Sequence, residues 1–269
     1  MKILLSLRRE IPTDVNRYDG VGLLKCEHVD LKLDVYDRKQ LNETRDYIQI
    51  ICKMFNPKPV WYRTNDASTT FMNQLGSSHQ HGEKNPHFGL RGVRRSLVYP
   101  ESLQDEIKMI QSIRKTYPNL NILFPFINDV RQYVDASKIA RAVGYDGRIG
   151  IMAELPSAIL TLDDFISAGV DYIVFGINDL SDCMDGCSRK NTDTANLIYR
   201  DHQLRAIQKL LDIVSWRKTV EYILSGDLNL ATVSLLKKYG FNGVAIPYYQ
   251  IGEKNEYNHQ DIEKIREVK

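Results

Sequence analysis

Acidic side chains follow two neighbouring apolar segments of the sequence GIMAELPSAILTLDDFISAGVDYIVFGINDLS. Glu154 comes directly after the run Ile149–Ala153, and Asn178 and Asp179 come shortly after the run Tyr172–Phe175. Two carboxylates at corresponding ends of two strands could hold a divalent cation. Mg²⁺ is the natural candidate, because it takes one or two protein carboxylates and leaves its other positions to substrate and water.

Cationic side chains stand at comparable places in other parts of the chain. Lys25 and Arg63 end two apolar runs, and Arg91 lies in the loop sequence NPHFGLRGVRR. Arginine holds a carboxylate or a phosphate through its planar fork, so Arg63 and Arg91 suit the two ends of a small phosphorylated acid. A single residue of this kind is more simply a helix cap or a surface charge. Six charged or amide groups at matching strand ends favour a functional site.

The apolar runs alternate with amphipathic segments along the chain, which predicts the fold. Eight runs are predicted as strands: Lys2–Ser6, Val21–Leu24, Val60–Arg63, Ile122–Phe126, Ile149–Ala153, Tyr172–Phe175, Thr219–Leu224 and Gly243–Ile246. Six segments are predicted as helices: Lys39–Phe55, Glu101–Tyr117, Val130–Val143, Ala158–Ala168, Ala195–Ser215 and Leu228–Lys238. Strands alternating with helices form a parallel sheet. Eight units close most naturally into an α/β (β/α)8 TIM barrel, and we expect one domain over residues 1–269.

An open, doubly wound sheet is the alternative fold. The glycine-rich phosphate turn expected after its first strand is absent, because that run leads into LRREIPTDV. In a barrel, all the strand-end residues would converge on one mouth. The irregular segment of residues 64–97 would lie on the same face, where a long connection is usually functional.

Composition and charge exclude several classes of protein. Hydrophobic residues make up 43% and charged residues 26% of the 269, which is typical of a globular domain with a sizeable core. The net charge of +2 gives no reason to expect nucleic acid or an anionic membrane as the main partner. No apolar run approaches the roughly 18 residues of a membrane span, and the N-terminus lacks a cleavage pattern. We therefore expect a cytoplasmic protein.

Several of these motifs resemble those of the phosphoenolpyruvate (PEP)-utilising enzymes, such as pyruvate phosphate dikinase, PEP synthase and enzyme I of the sugar phosphotransferase system. DGVGLLKCEHV is similar to the family's DGIGLLRTEF, WYRTNDAS to VRTLD, and NPHFGLRGVRRSL to NPxLGxRGxR. GIMAELPSAIL and FGINDLS resemble GIMVEIPSA and IGTNDL. The motifs follow the family's order over nearly the whole chain, so the resemblance is to its PEP/pyruvate-binding TIM barrel.

The resemblance implies roles for the strand-end residues. Glu154 and Asp179 would hold Mg²⁺, Asn178 would contact the phosphate of the ligand, and Arg63 and Arg91 would bind phosphate and carboxylate. In the family, this barrel exchanges a phosphoryl group between PEP and a histidine on a separate swivelling domain. Such catalysis is mostly positioning and electrostatic stabilisation of the transferred group.

Two positions depart from the family's pattern. Lys25 replaces the arginine of LLRTEF, which keeps the charge as a further ligand-binding and catalytic cation but loses the bidentate fork. The family ends its seventh strand with CGExAGD, whose cysteine handles the proton of the enolate. Counting back from Gly226 in TVEYILSGD puts Glu221 at that position, within a residue or two. Either Glu221 or another group then moves the proton, the enolate is not protonated, or the activity is lost.

Partners are also implied by the resemblance. The family's barrel is normally fused to ATP-grasp and phosphohistidine domains, and the sequence contains no phosphohistidine-domain motif. We therefore expect phosphotransfer with a separate phosphohistidine or ATP-using protein. Since the family is commonly dimeric through this barrel, a homodimer is expected as well.

Two other functions remain open at this point. One is a metal-dependent lyase or aldolase that acts through a pyruvate-like enolate, as in the related citrate lyase β and HpcH aldolase barrels. The missing cysteine suits this alternative, because carbon would then capture the enolate. The other is a non-catalytic binding subunit that keeps ligand affinity without turnover.

Overall fold

Eight parallel strands form a closed barrel in sequential order, as the alternation of elements predicts. The computed structural model describes residues 1–25, 38–74, 82–189, 191–198, 219–226, 240–252 and 257–267. The strands are β1 (Lys2–Leu7), β2 (Val21–Lys25), β3 (Val60–Arg63), β4 (Leu120–Phe124), β5 (Ile149–Ala153), β6 (Tyr172–Gly176), β7 (Glu221–Ser225) and β8 (Gly243–Pro247). Pairing of β1 with β8 closes the ring. The fold is a TIM-type α/β barrel.

In the described residues, α-helices lie in the connections from β2 through β7 and after β8, whereas β1 and β2 are joined through a short 3₁₀ helix, Val15–Arg17. The α-helices are α1 (Arg38–Phe55), α2 (Thr69–Gln74), α3 (Val93–Val98), α4 (Pro100–Arg114), α5 (Val130–Ala142), α6 (Pro156–Leu160), α7 (Leu162–Ser167), α8 (Ile177–Asp185) and α9 (His259–Glu267). Local signals account for several starts. Pro100 occupies the first turn of α4, and the Asp129 side chain accepts a hydrogen bond from Arg131 N at 2.8 Å to cap α5.

Two apolar clusters form the core. The smaller one fills the barrel interior, where Trp61 and Tyr172 stack with their ring centroids 3.8 Å apart. The larger one lies between the strands and the helices. Side chains alternate between the two clusters along each strand, because successive residues of a strand point to opposite faces. The interior is therefore packed solid below the mouth, as in other barrels of this type.

Some predicted boundaries differ from the structure. The strand predicted at Ile122–Phe126 is β4, which both starts and ends two residues earlier. The strand predicted at Thr219–Leu224 is β7, which begins at Glu221 and includes Ser225. The single helix predicted at Ala158–Ala168 is split into α6 and α7.

Other differences concern segments outside the regular repeat. Residues 64–97 are not wholly irregular, since α2 and the first part of α3 lie in them. Of the helix predicted at Ala195–Ser215, the described residues show a short 3₁₀ helix, Ala195–Leu197. The helix predicted at Leu228–Lys238 lies outside the described residues. Helix α9, which the sequence did not predict, packs against β1. Among the described residues, no helix has the length and apolar character needed to cross a bilayer.

Candidate active site

Side chains alternate in direction along β3 and β5, and this alternation points two predicted site residues into the barrel. Trp61 and Met152 belong to the interior cluster. Arg63 and Glu154 each lie two residues further along the same strand direction, so their side chains face the same way. Both residues are buried, and both line one cavity at the carboxyl ends of the strands. This is the end of the barrel at which active sites form.

The cavity has a volume of ≈ 370 Å³ and a wall rich in charge. Five cationic side chains line it: Arg8, Lys25, Arg63, Arg91 and Arg189. The acidic side chains in its wall are Asp66, Glu154 and Asp179, and Asn178 also lines it. Every predicted site residue except Glu221 is therefore brought together around one space. The excess of cations favours an anionic ligand that is rich in oxygen.

Asp66 joins the two predicted arginines. Its carboxylate accepts from Arg91 Nε at 3.0 Å and from Arg91 Nη2 at 2.6 Å, which is a bidentate pairing. Arg63 Nη1 lies 3.0 Å from the same carboxylate. All three side chains are at least nine-tenths buried. Asp66 thus compensates the charge of both guanidinium groups and fixes their relative orientation.

Asp179 receives two guanidinium groups on one oxygen. Arg91 Nη1 donates to Oδ1 at 3.1 Å, and Arg189 Nη2 lies 3.4 Å from the same atom. Burial alone would raise the pKa of Asp179, but Arg91 and Arg189 outweigh it and hold the pKa well below its usual range. Burial likewise lowers the pKa of Arg91, but Asp66 and Asp179 outweigh it, so the net pKa is raised. Asp179 is therefore ionised and Arg91 stays charged.

The pKa of Glu154 is shifted in the opposite direction to that of Asp179. It is 1% exposed, and burial raises its pKa well above the usual range, with the negative charges of Asp66 and Asp179 adding to that effect. Its carboxyl group also hydrogen bonds to Asp179. Two buried carboxyl groups in contact, one protonated and one ionised, could hold a divalent cation that displaces the proton. Glu154 and Asp179 therefore fit the Mg²⁺ ligands that were predicted.

Phe126 connects the acidic and the basic parts of the site. Its backbone N–H points to Glu154 Oε1 at 3.4 Å, and its ring lies 4.2 Å from the guanidinium of Arg91. Arg94 approaches the same ring at 4.9 Å. Phe126 has a positive φ of 54°, which is strained for a bulky residue and occurs preferentially at functional sites.

Two glycines make room at the ends of β6 and β7. A Cβ on Gly176 would come within 2.7 Å of Glu154 Cγ. A Cβ on Gly226, where φ is +144°, would lie 2.3 Å from Ile177 Cγ2 and 3.1 Å from Asn178 Oδ1. These glycines allow Glu154 and Asn178 to reach the cavity.

A partly buried histidine, His87, and a fully buried aspartate, Asp182, lie next to Asp179. Asp182 is fully buried and accepts from Arg189 Nη1 at 2.7 Å, and His87 Nε2 lies 3.1 Å from the same carboxylate. His87 Nε2 is also 3.5 Å from Asp179 Oδ1. His87, Asp179 and Asp182 have the ligand types and spacing for a cation. Asp179 belongs both to this group and to the pair that it forms with Glu154, so the two candidate cation positions share one ligand.

Glu221 does not line this cavity, so the structure contradicts the position that was predicted for its side chain. It is the first residue of β7 and pairs with Tyr172, the first residue of β6. Its carboxylate contacts Lys2 and also Arg148 Nη2, at 3.3 Å. Four residues of strand separate it from the cavity end, about 13 Å at 3.3 Å per residue. A shift of four residues along the strand keeps the side chain pointing inward, but it moves that side chain from one mouth of the barrel to the other.

Ser225 occupies the position that was assigned to Glu221. It is the last residue of β7, is buried, and lines the cavity together with Gly226. The sequence reasoning missed it because the position was counted back from Gly226 through the spacing of the family's motif. Asp66 and Arg189 were missed as well. The fixed spacing of Arg63 and Asp66 in YRTND was an available signal for Asp66, whereas Arg189 follows an irregular loop that carries no such pattern.

Comparisons with known proteins identify the family of this barrel. Residues 9–250 match the family described as PEP-utilising enzyme, PEP-binding domain. The chain is 36% identical over 208 residues to the phosphoenolpyruvate synthase of Pyrococcus furiosus, and the match covers 72% of this chain and 25% of that protein. It is 33% identical over 205 residues to a phosphoenolpyruvate-dependent phosphotransferase system protein of Escherichia coli, covering 71% and 27% respectively.

Solved structures support the fold alone. The pyruvate kinase of Pyrobaculum aerophilum superposes with a TM-score of 0.56 at 11% identity, covering 100% of this chain and 71% of that one. The fold and the cavity define a TIM barrel with a polar mouth that is rich in cationic side chains. The family match over most of the sequence then establishes that this chain belongs to the PEP-utilising enzymes, through their PEP-binding domain. It spans about a quarter of the length of the curated relatives cited above.

Proposed function

We propose that the cavity binds phosphoenolpyruvate or a closely related 2-oxoacid and takes part in Mg²⁺-dependent phosphoryl transfer with a separate partner protein. The observation that carries the proposal is the arrangement of Arg63 and Arg91 beside the carboxyl groups of Glu154 and Asp179 around one cavity. The names of the relatives, a PEP synthase and a PEP-dependent phosphotransferase system protein, support the choice of ligand.

The cationic residues have separate tasks in this proposal. Arg63 and Arg91 bind the carboxylate and phosphate groups of the ligand through their planar forks. Lys25 adds a point charge without a fork. Asn178 supplies a side-chain amide to the phosphate, and Arg189 adds a further guanidinium on the same side as Asp179.

The chemistry needs charge to be stabilised at two places. During transfer from PEP, the bond between phosphorus and the enolate oxygen breaks while a bond forms to an acceptor nitrogen on the partner. The enolate keeps the electron pair, and it becomes pyruvate when its methylene carbon takes a proton. The arginines lower the energy of the transferred phosphoryl group by neutralising its oxygens in a buried site.

The acidic pair provides the cation site in this proposal. When bound, Mg²⁺ would be held by Glu154 and Asp179 and would supply positive charge to the oxygen atoms of the ligand. Glu154 would have to release its proton first, so its raised pKa makes cation binding a proton-releasing step.

The test is calorimetric binding of PEP and of oxalate, a stand-in for the pyruvate enolate, with and without Mg²⁺. We expect binding by the wild type that needs Mg²⁺, and loss of that Mg²⁺-dependent binding in Glu154→Gln. Glu101→Gln, which changes an exposed glutamate of α4, serves as the matched control and should bind as the wild type does. No binding of either ligand by the folded wild type would refute the proposal.

The identity of the phosphoryl acceptor and the oligomeric state are also proposals. The names of the relatives, a PEP synthase and a PEP-dependent phosphotransferase system protein, support a phosphohistidine or ATP-using protein as the partner. A homodimer and a cytoplasmic location stay predictions.

If PEP binds but no phosphoryl transfer occurs with any carrier protein, the non-catalytic subunit is the better description. Cleavage of a carbon–carbon bond in a 2-oxoacid would instead support the lyase, because Ser225 is a weak acid for protonating an enolate.

A further inference from the structure

A buried carboxyl group outside the cavity contacts the turn that follows β3. Glu106 lies on α4, in a helical stripe that also contains the buried residues Leu103, Ile107 and Ile110. It is 3% exposed, and it faces the outer surface of the barrel rather than the cavity. A carboxyl group in an apolar stripe is costly to bury, so it remains only where its hydrogen bonds serve a purpose.

Two donors from β3 and its turn reach Glu106. The Tyr62 hydroxyl donates to Oε1 at 2.6 Å, and the backbone N–H of Asn65 donates to Oε1 at 3.0 Å. Tyr62 points outward on β3, so it lies between two residues, Trp61 and Arg63, that point into the barrel. The carboxyl group of one helix residue therefore holds both the end of the strand and the backbone of the turn.

The turn carries two residues of the site. Arg63 precedes it, and Asp66 closes it through the 3.0 Å contact between their charged groups. Other hydrogen bonds in the turn are directed elsewhere: Thr64 N donates to Leu123 O at 3.0 Å, and Ala67 N donates to Asn65 Oδ1 at 2.7 Å. The bond from Asn65 N to Glu106 ties this turn to the helix layer. A shift of the turn would move Asp66 and, with it, Arg63 and Arg91.

We propose that Glu106 is a positioning residue, which fixes the turn of residues 63–66 and thereby the two guanidinium groups that bind the ligand. The proposal rests on the proposed function. It states that the positions of the Arg63 and Arg91 guanidinium groups depend on a residue that does not contact the ligand. It requires a hydrogen-bond acceptor at position 106 rather than a negative charge.

Three variants separate positioning from general stability. Glu106→Leu removes the acceptor, Glu106→Gln keeps an acceptor of similar shape, and Ile110→Ala weakens the same helix face without touching the turn. We expect Glu106→Leu to weaken oxalate binding roughly tenfold, since the buried acceptor that holds the Asn65 amide and the Tyr62 hydroxyl is lost. Glu106→Gln should bind within about twofold of the wild type, as should Ile110→Ala despite a lower melting temperature.

Hydrogen exchange of the backbone amides provides a readout that does not depend on the ligand. In Glu106→Leu, the amide of Asn65 should exchange faster than in the wild type, while Glu106→Gln restores its protection and Ile110→Ala leaves it unchanged. If Glu106→Leu does not fold, Tyr62→Phe replaces it, and we expect a smaller increase in exchange at Asn65.

The outcomes distinguish this proposal from the proposed function. Unchanged protection of Asn65 in Glu106→Leu would overturn the positioning role. The same loss of oxalate binding in Ile110→Ala as in Glu106→Leu would overturn it too. If the wild type binds no oxalate, the proposed function fails, and the exchange of Asn65 alone then decides whether Glu106 holds the turn.

Discussion

Arg91 and Asp66 form a bidentate ion pair in the wall of the cavity, with Nε–Oδ1 and Nη2–Oδ2 distances of 3.0 and 2.6 Å. The same carboxylate contacts Arg63, so one acid holds two cations at the place where an anionic ligand would bind. A ligand with two negative groups would therefore enter a site whose cations are already oriented. Such preorganisation reduces the cost of ordering side chains on binding.

Asp66→Asn tests this pairing. Removing one partner of a buried ion pair leaves uncompensated charge, so we expect a loss of about 3–5 kcal/mol in the free energy of unfolding. Oxalate should raise the melting temperature more in the variant than in the wild type, because its carboxylates replace the lost charge. The measurement is thermal unfolding with and without oxalate.

Asp105→Asn is the control for that experiment. Asp105 pairs with Lys108 on the surface of α4, so its loss should cost about 1 kcal/mol or less. Equal stability losses in the two variants would show that Asp66 does not hold the arginines together.

Glu106 makes the stability of the fold depend on pH. Burial raises its pKa to about 7, and the hydrogen bonds from Tyr62 and Asn65 only partly oppose this effect. Between the usual glutamate pKa and about 7, the native state binds more protons at this group than the unfolded state does. Stability from this group is therefore fully present at low pH and is lost as the pH rises through about 7.

The comparison of wild type with Glu106→Gln measures that contribution. From pH 5 to pH 8 we expect the wild type to lose about 2 kcal/mol of unfolding free energy relative to the variant. Urea unfolding of both proteins at each pH gives the values. Parallel pH profiles would mean that Glu106 titrates normally in the folded protein.

Glu221→Gln tests the corrected position of Glu221. The residue lies at the amino-terminal end of the barrel with Lys2 and Arg148, and its side chain is partly exposed. We expect unchanged oxalate affinity in calorimetry and a stability loss of about 1 kcal/mol or less. A large loss of binding would restore Glu221 as a candidate for the site.

The fold and most of the site could be predicted from the sequence because they depend on regular spacing. Strand periodicity identified all eight strands, and the parallel arrangement then put Arg63, Glu154 and Asp179 at one mouth. Residues whose roles depend on contacts between distant segments were not predictable in this way. Arg189 reaches Asp179 from an irregular loop, and Glu106 looks like an ordinary surface glutamate until its helix face is known.

The error at β7 shows how counting along a motif limits such predictions. The position was counted back from Gly226 through the family's spacing, and that count fell four residues before the end of the strand. Along a strand, an even shift keeps the side chain on the same face and changes its depth by about 6.6 Å for every two residues. Glu221 and Ser225 are four residues apart and both fit an inward pattern, so periodicity alone could not choose between them. The pairing of Glu221 with Tyr172, at the start of β6, shows that Glu221 lies at the amino-terminal end of the barrel.

Ser225→Cys tests what the end of β7 contributes to the chemistry. A hydroxyl group is a far weaker acid than a thiol, whose pKa is about 8.5, so Ser225 is poorly suited to exchange a proton with an enolate. We expect Ser225→Cys to speed the exchange of pyruvate methyl protons with deuterated water on the order of a hundredfold, with oxalate affinity unchanged. Proton NMR of pyruvate with Mg²⁺ present gives the rate. Ser225→Ala should exchange as slowly as the wild type. If Ser225→Ala instead abolishes a measurable wild-type rate, the hydroxyl itself carries the proton, and the barrel protonates its enolate without a thiol.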